Sequence, residues 1–152
     1  MEKWLNPTEQ AAWIGLLQLT SRLRVELNRQ LAEEHAISLP DYEVLARLNA
    51  SPRGGLRVRD LMETLDWEQS RLSHHLTRMN KRGLVLKKDC DEDRRGSVFV
   101  LTNAGRATIE QAAPSHVAQV RRLLFDHLTP EQTDQLAAVT GHALRRLDAR
   151  NQ

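Results

Sequence analysis

The first forty residues place apolar side chains three and four positions apart, as an amphipathic helix does. Asn6, Pro7 and Glu9 in "NPTE" supply an N-cap, a proline suited to the first turn and the acid of a capping box. The pattern therefore predicts a helix from this point to about Glu34. Its apolar stripe has one polar gap, at Thr20, and consists of Trp13, Leu16, Leu17, Leu23, Leu27 and Leu31.

The next stretch, "SLPDYEVLARLNA", repeats the same helix-start signal with Ser38 as the cap. Tyr42, Leu45 and Leu48 form the predicted inner face of this second helix. "SPRGG" then has the composition of a turn. "LRVRDLMETLDW" predicts a few extended residues followed by a short helix over about 60–65.

A longer helix is predicted over about 68–82, with Gly83 well placed as its C-cap. Two β-prone runs follow, "LVLKKD" and "SVFVLT", separated by the charged, polar "CDEDRRG". Alternating runs joined by such a segment predict a hairpin with an extended loop.

The C-terminal third predicts two more helices. Thr102 is the cap of the first, "NAGRATIEQAAPSHVAQVRRLLFDHL", and Pro114 inside it predicts a kink or two abutting helices. Thr129 in "TPEQ" begins the last helix with another capping box. The order of elements predicts a mainly α (α+β) fold with a winged helix-turn-helix at its centre. The long terminal helices need something to pack against.

Composition narrows the class of protein. Of the 152 residues 40% are hydrophobic, enough to build a core, and no run approaches the roughly 18 consecutive apolar residues of a membrane span. "MEKWLNPTEQ" lacks the basic-then-apolar layout of a secretory signal. The single cysteine, Cys90, rules out an internal disulfide framework and fits a reducing compartment. We therefore expect a soluble, cytoplasmic protein with no membrane partner.

Charge is distributed unevenly along the chain. Residues 53–95 hold eleven basic and eight acidic residues, net +3, whereas the others hold eleven and twelve, net −1. The nineteen residues from Ser70 to Lys88 include six Lys or Arg and no acid. A local basic surface of this kind indicates a polyanionic partner.

A helical wheel explains why this stretch lacks acids. Leu72, Leu76 and Met79 share one narrow stripe that must face the core, and His75 lies close to it. The side chains on the opposite face are hydroxyls, an imidazole, guanidinium groups and an ammonium, which donate to DNA phosphate oxygens and read base edges. A carboxylate among them would repel the phosphates. The predicted DNA-binding residues of this helix are Ser70, Arg71, Ser73, His74, Thr77, Arg78 and Lys81.

The segments "DLMETLDWEQSRLSHHLTRMNKRGLV" and "DEDRRGSVFVLTNAG" resemble the MarR family of bacterial transcription regulators. The family's wing has an Asp-x-Arg core, a strand and Leu-Thr-x-x-Gly, which match Asp93, Arg95, Leu101, Thr102 and Gly105. The resemblance implies that residues 70–81 form the recognition helix. This chain departs from the family at Glu68, where a Ser or Thr commonly caps that helix.

The same resemblance assigns the wing residues. Arg95 would enter the minor groove, and Asp93 would orient Arg95 through a charged hydrogen bond. Arg94, which is outside the minimal motif, is expected to contact a phosphate. No cofactor is implied.

The terminal helices carry more apolar surface than one small domain can hide, and the resemblance implies a homodimer in which they intertwine. Two recognition helices would then lie one turn of DNA apart on a palindromic site of double-stranded DNA. The predicted organisation is an N-terminal dimerisation helix (1–37), the winged helix-turn-helix lobe (38–102) and C-terminal dimerisation helices (103–152), together one MarR-type domain.

Family members commonly bind a small aromatic or phenolic effector in a cleft between the dimer helices and the DNA-binding lobe. The candidates to line such a cleft are Trp13, Leu17, His35 and Tyr42, although each fits a plain core role equally well. The resulting hypothesis is a repressor whose DNA binding this effector relieves. The repressor and activator alternatives stay open at this point.

Other functions are less well supported by the residues. No nucleophile has an evident base and no Gly-rich phosphate loop is present, so we do not expect an enzyme. The histidines have no metal-ligand spacing, and the acids beside Cys90 would raise its pKa rather than activate it. The alternatives that remain are a winged-helix module for protein–protein contacts and a metal-responsive DNA-binding sensor.

Overall fold

The computed structural model describes residues 4–89 and 97–150. Their order of elements confirms the predicted one, with a short first strand and a 3-10 turn in addition. The elements are α1 (Pro7–His35), α2 (Leu39–Ala50), β1 (Gly55–Arg57), α3 (Val58–Leu65), α4 (Gln69–Lys81), β2 (Val85–Asp89), β3 (Ser97–Leu101), α5 (Asn103–Leu123), a 3-10 turn (Phe125–His127) and α6 (Pro130–Asp148). The chain divides into two compact units, Met1–His116 and Val117–Gln152.

The predicted helix starts are confirmed by their hydrogen bonds. Asn6 Oδ1 accepts from the Glu9 amide at 2.8 Å, and Glu9 returns the bond at 2.8 Å. Ser38 and Asp41 form the same reciprocal pair at the start of α2, as do Thr129 and Gln132 at the start of α6. Each box satisfies amide groups that would otherwise have no partner in the first helical turn.

A three-stranded antiparallel sheet follows the helices of the lobe in the order β1-β3-β2. The predicted hairpin is confirmed as β2 and β3, with Val85 opposite Leu101 and Asp89 opposite Ser97. The extended residues expected before the short helix form the third strand, in which Leu56 pairs with Phe99. The sheet thus ties the residues before α3 to the strand that follows the wing loop.

The core of the first unit is built from α1, α2, α3, α4, α5 and the sheet. The predicted inner stripe of α4 is confirmed, since Leu72 and Met79 are 0% exposed and Leu76 is 1% exposed. Leu45 and Leu48 of α2 are buried as predicted, and Tyr42 is half-buried. This packing fixes which face of α4 is left for solvent.

The junction between α4 and α5 is packed closely. Gly83 follows α4 with a φ of +74°, a left-handed conformation that suits glycine at a helix end. Thr102 Oγ1 donates to the Gly83 carbonyl at 2.6 Å and accepts from the Gly105 amide at 2.9 Å, which confirms it as the cap of α5. A Cβ on Gly105 would lie 2.0 Å from the Leu84 carbonyl oxygen. The Leu-Thr-x-x-Gly segment therefore joins the wing strand to the end of α4.

One predicted helix boundary was wrong. The helix after Thr102 passes through Pro114 as a single element and ends at Leu123, so it does not reach Leu128. Leu124 leaves helical geometry, with φ −131° and ψ −67°, and a 3-10 turn over Phe125–His127 follows. Of the two alternatives at Pro114, two abutting helices are therefore wrong, and the helix ends about ten residues later; a kink at Pro114 stays a prediction.

The first half of α1 is exposed to solvent. Every side chain from residue 4 to residue 22 is exposed, including the predicted apolar stripe up to that point. Packing begins farther along, and Leu31 is fully buried. In the second unit, α6 likewise exposes large apolar side chains at Val139, Leu144 and Leu147.

Candidate nucleic-acid interface

The outer face of α4 is polar, basic and free of acids. All seven side chains predicted to bind DNA on this helix are exposed, opposite the buried stripe, and Thr77 Oγ1 donates to the Ser73 carbonyl at 2.9 Å. Glu68 is the N-cap residue, but its side chain makes no capping hydrogen bond. Glu68 therefore does not replace the Ser or Thr that commonly caps this helix in the MarR family, because its side chain does not bind the first amides of α4.

Arg71 lies over an aromatic ring at the start of this face. Its guanidinium carbon is 4.1 Å from the centroid of Trp67, the residue before the N-cap. Trp67 is 7% exposed and is held by the core, so the ring is a fixed platform. A cation over a tryptophan face is attracted by the ring's negative quadrupole, which orients Arg71 along the helix surface.

A charged network lies beneath the other end of the face. The carboxylate of Asp41, whose side chain is only 4% exposed, accepts from Arg82 Nη1 at 2.6 Å and from the Ser38 amide at 2.9 Å. Arg82 also donates to the Ala36 carbonyl at 3.0 Å. Arg82 is thereby committed to holding the end of α4 against the start of α2.

His75 extends this network towards the outer face. Its Nε2 lies 2.9 Å from Asp41 Oδ1, with the N–H aimed off the line of a straight hydrogen bond. Its Nδ1 lies 3.2 Å from Arg78 Nη2. The ring is 8% exposed, which confirms that this histidine points inward.

The Asp41 carboxyl is strongly acidic in the folded protein. Burial by itself would raise its pKa, but the contacts with His75, Arg82 and the Ser38 amide outweigh that effect and hold the pKa well below the usual range. Asp41 therefore remains a carboxylate at any physiological pH. A buried carboxylate needs partners of this kind because losing them would leave an uncompensated charge.

The sequence reasoning identified the outer residues of α4 but missed Asp41, Arg82 and Trp67. Asp41 was visible as the capping-box acid of α2, and that role is real. Nothing in the spacing shows that it also meets an arginine 41 residues later. Trp67 lies before the N-cap of α4, so no helical spacing rule places it beneath Arg71.

The wing tip lies outside the described residues. Asp93, Arg94, Arg95 and Cys90 belong to the segment 90–96, and their assigned roles stay predictions. The flanking strands place Asp89 directly opposite Ser97. The hairpin therefore leads the chain out to this segment and back again.

The four effector candidates do not meet in one chain. Trp13 and Leu17 are about half exposed on the first half of α1, whereas His35 Nε2 lies 2.7 Å from Ser115 Oγ. Tyr42 lines a groove of about 350 Å³ between α1, α2 and α5. Leu17 and His35 are eighteen residues apart on one helix, about 27 Å along its axis. Their joint role in binding an effector stays a prediction.

Within residues 4–89 and 97–150, no three His, Cys, Asp or Glu side chains are placed to hold a metal ion. Among the helices of these same ranges, none combines the length and apolar character needed to cross a bilayer.

Known proteins share both the sequence features and the fold. The profile of the MarR family matches residues 37–97. The crystal structure of AbsC, a MarR family transcriptional regulator from Streptomyces coelicolor, is 38% identical, covers 99% of this chain and 100% of its own, and superposes with a TM-score of 0.91. Sco3205, a MarR family regulator from the same organism solved in complex with DNA, is 35% identical over 97% of this chain and 92% of its own, with a TM-score of 0.92. An uncharacterized HTH-type transcriptional regulator of Bacillus cereus is 23% identical over 131 residues, which are 86% of this chain and 85% of that protein.

Proposed function

Because the chain belongs to the MarR family of transcription regulators, we propose that it is a dimeric, sequence-specific DNA-binding repressor that a small molecule relieves. α4 would lie in the major groove of a palindromic site, and Arg95 would enter the adjacent minor groove. The observation that carries this proposal is the outer face of α4, which is exposed, basic and acid-free above a fully buried stripe. Sco3205, which shares this fold at 35% identity, was solved bound to DNA.

The residues of the outer face have distinct roles in this proposal. Arg71 and Arg78 are the candidates for base edges, because a guanidinium binds guanine with two parallel hydrogen bonds. Lys81, His74 and the hydroxyl side chains Ser70, Ser73 and Thr77 supply contacts to phosphates and further base edges. Arg94 would contact a phosphate beside the wing, and Asp93 would orient Arg95.

Dimerisation is proposed from two exposed apolar surfaces of the chain, one on the first half of α1 and one on α6. The first half of α1 exposes Trp13, Ile14 and Leu16 at 53%, 45% and 51%, far more than a buried helix face would. Contiguous apolar surface of this kind marks an interface in soluble proteins. Thr20, the one polar residue of the stripe, donates to the Leu16 carbonyl at 2.7 Å, so it can be covered without losing a partner. The second copy of the chain is the proposed occupant.

A second copy of the chain would also bring together effector candidates that lie far apart in one chain. Trp13 and Leu17 are exposed on α1 and lie far along that helix from His35. In a dimer, the α1 stripe of one copy can approach the lobe of the other, and an aromatic or phenolic effector would bind there. An effector that prefers a dimer with mis-spaced lobes would weaken DNA binding by its differential affinity, typically about 5- to 150-fold.

The test is a titration of the protein against a duplex from the DNA upstream of its own gene and a scrambled duplex, at several salt concentrations. We expect tight binding to the first, weak binding to the second and a steep loss of affinity with salt, because phosphate contacts release counterions. Arg78→Ala and Arg95→Ala should each lose about 1–3 kcal/mol of specific binding. Arg47→Ala, which removes an exposed arginine of α2, is the matched control and should lose little.

Two results would contradict the proposal. Equal, weak and salt-sensitive binding to both duplexes, and to duplexes selected from a random pool, would mean that the basic face serves another partner. Unchanged operator binding in both arginine variants would remove the assignment of α4 and the wing as the DNA-reading elements.

A further inference from the structure

We propose that His75, a buried residue, is a positioning residue that holds the Arg78 guanidinium ready for DNA on the outer face of α4. This inference rests on the proposed function, because it concerns how an assigned DNA-contacting side chain is presented. His75 itself would not touch DNA, since its ring is 8% exposed and lies on the inner side of the helix. It would act through Arg78, which lies one helical turn later.

The direction of the hydrogen bond determines the form of the imidazole. An arginine side chain only donates hydrogen bonds and is always charged. Nδ1 of His75, 3.2 Å from Arg78 Nη2, must therefore be the acceptor. The ring proton is then on Nε2, the nitrogen that lies 2.9 Å from the Asp41 carboxylate. A carboxylate at that place favours this tautomer, because it attracts the N–H and would repel a lone pair.

Asp41 is itself held in place by two donors other than His75. Its carboxylate accepts from Arg82 Nη1 and from the Ser38 amide, and the pair with Arg82 links the start of α2 to the end of α4. The order of contacts therefore runs from the N-terminus of α2 through Asp41 and His75 to Arg78. The Asp41 carboxylate favours a proton on Nε2 of His75, and that tautomer leaves Nδ1 free to accept from Arg78.

The same histidine also touches the support of Arg71. The ring of His75 meets that of Trp67 edge to face, with centroids 5.4 Å apart, and Trp67 carries the Arg71 guanidinium on its face. Arg71 and Arg78 are seven residues apart, about two helical turns or 10 Å along the axis, so they project on the same side of α4. One buried aromatic pair thus lies beneath both arginines.

Positioning matters because a free arginine loses rotamer freedom when it binds. A side chain that is already held in its bound arrangement loses less on binding, so its contact contributes more to affinity. The Nδ1 contact uses one N–H of Arg78 and leaves the others of the planar guanidinium free to donate to a base or phosphate.

Two substitutions separate the two nitrogens of the ring. In His75→Asn the amide oxygen falls near the Nδ1 position, so an acceptor for Arg78 is kept and the reach to Asp41 is lost. In His75→Gln the amide nitrogen falls near the Nε2 position, so the contact with Asp41 is kept and the acceptor for Arg78 is lost. Both remove the ring from Trp67. They are therefore matched in what they take from the core.

The readout is affinity for a duplex selected by the protein from a random pool, with thermal melting measured in parallel. We expect His75→Gln to weaken binding about 3- to 10-fold, the cost of ordering one long side chain. His75→Asn should keep most of the affinity. In an Arg78→Ala background, His75→Gln should cause no further loss, because the two residues act as one unit. Equal losses in the two His75 variants, or the same His75→Gln loss in both backgrounds, would overturn the proposal.

A measurement without DNA keeps the two proposals apart. Nitrogen-15 NMR of the wild-type protein should show His75 as the neutral tautomer with its proton on Nε2, and Arg78→Ala should alter the Nδ1 signal. A proton on Nδ1 would overturn the contact even if DNA binds as proposed, and it decides the matter if His75→Gln fails to fold. A wild-type protein that prefers no duplex would overturn the proposed function, and with it the role of His75 in DNA binding, whatever the tautomer is.

Discussion

Helix α4 and the first half of α1 look alike as patterns but differ in what covers their apolar faces. Both have apolar side chains at helical spacing and polar ones between them. In α4, Leu72, Leu76 and Met79 are at most 1% exposed. In α1, Trp13 and Leu16 remain about half exposed. The same periodicity therefore accompanies a buried apolar face in α4 and an exposed one in the first half of α1.

The difference teaches that helical periodicity identifies an apolar face without identifying its partner. α4 finds its partners within the chain, in the buried core cluster that includes Val44, Leu61 and Val85. In the first half of α1, every described side chain up to residue 22 stays exposed. An open face of this size is what an interface needs, so the contrast can be tested by disturbing each region separately.

The largest expected effect is on the open face. Leu16→Glu would place a carboxylate in the centre of the proposed dimer interface, where burying an unpaired charge costs several kcal/mol. In a single chain the same side chain is exposed, so the lobe should stay folded. We expect sedimentation to show a monomer at micromolar concentrations, and affinity for the selected duplex to fall by about 100-fold or more.

Gln18→Glu adds the same charge on the polar side of α1 and serves as the control. It should leave both the dimer and the DNA affinity close to those of the wild type. A dimer that survives Leu16→Glu unchanged would contradict the assignment of this face. A monomeric wild type would contradict dimerisation itself.

Local patterns predicted the elements well, because caps and amphipathic stripes act over one or two helical turns. The capping boxes at Asn6, Ser38 and Thr129 and the inner stripe of α4 were all foreseen for this reason. Contacts between distant residues were not. The pair of Asp41 with Arg82 joins two elements 41 residues apart, and no spacing rule links them.

The missed end of α5 has a different cause. The segment "VRRLLFDHL" is apolar and charged at helical spacing, so its pattern continues beyond Leu123. The backbone nevertheless turns at Leu124 and forms a 3-10 turn. Neither glycine nor proline occurs in this segment to mark the change, and tertiary packing rather than local preference decides such boundaries.

The second prediction concerns the packed region. Gly105→Ala would place a Cβ 2.0 Å from the Leu84 carbonyl oxygen, which belongs to the backbone between α4 and β2 and cannot simply rotate away. We expect the free energy of unfolding, measured in urea, to fall by about 1–3 kcal/mol, as it does for overpacked sites. Displacement of the end of α4 should also weaken operator binding.

Gly15→Ala makes the same change in the open half of α1, where a Cβ meets nothing within 4 Å. Alanine is favoured over glycine inside a helix by up to about 1 kcal/mol, so this variant should be neutral or more stable. Similar destabilisation in the two variants would show that the contact at Leu84 is not what makes Gly105 necessary.

The smallest expected effect is a pH dependence within the packed region. His116 packs against Tyr42 with ring centroids 4.0 Å apart, and its Nδ1 is buried without a hydrogen-bond partner among the described residues. Burial lowers the pKa of His116 below its ordinary value of 6.5, although the nearby Glu43 carboxylate acts in the opposite direction. The folded protein therefore takes up this proton less readily than the unfolded chain does.

The sign of the effect follows from linkage. Above the ordinary pKa of 6.5 the stability associated with the neutral ring is fully present, and it is lost as the pH falls through the lower pKa of the folded state. His116→Phe keeps a ring against Tyr42 and removes the titration, so its unfolding free energy should fall less steeply below pH 6.5. Tyr42→Phe keeps the stacked pair and the histidine, and it should retain the wild-type slope. If His116→Phe shows that slope as well, His116 is not the group that makes the packed region sensitive to acid.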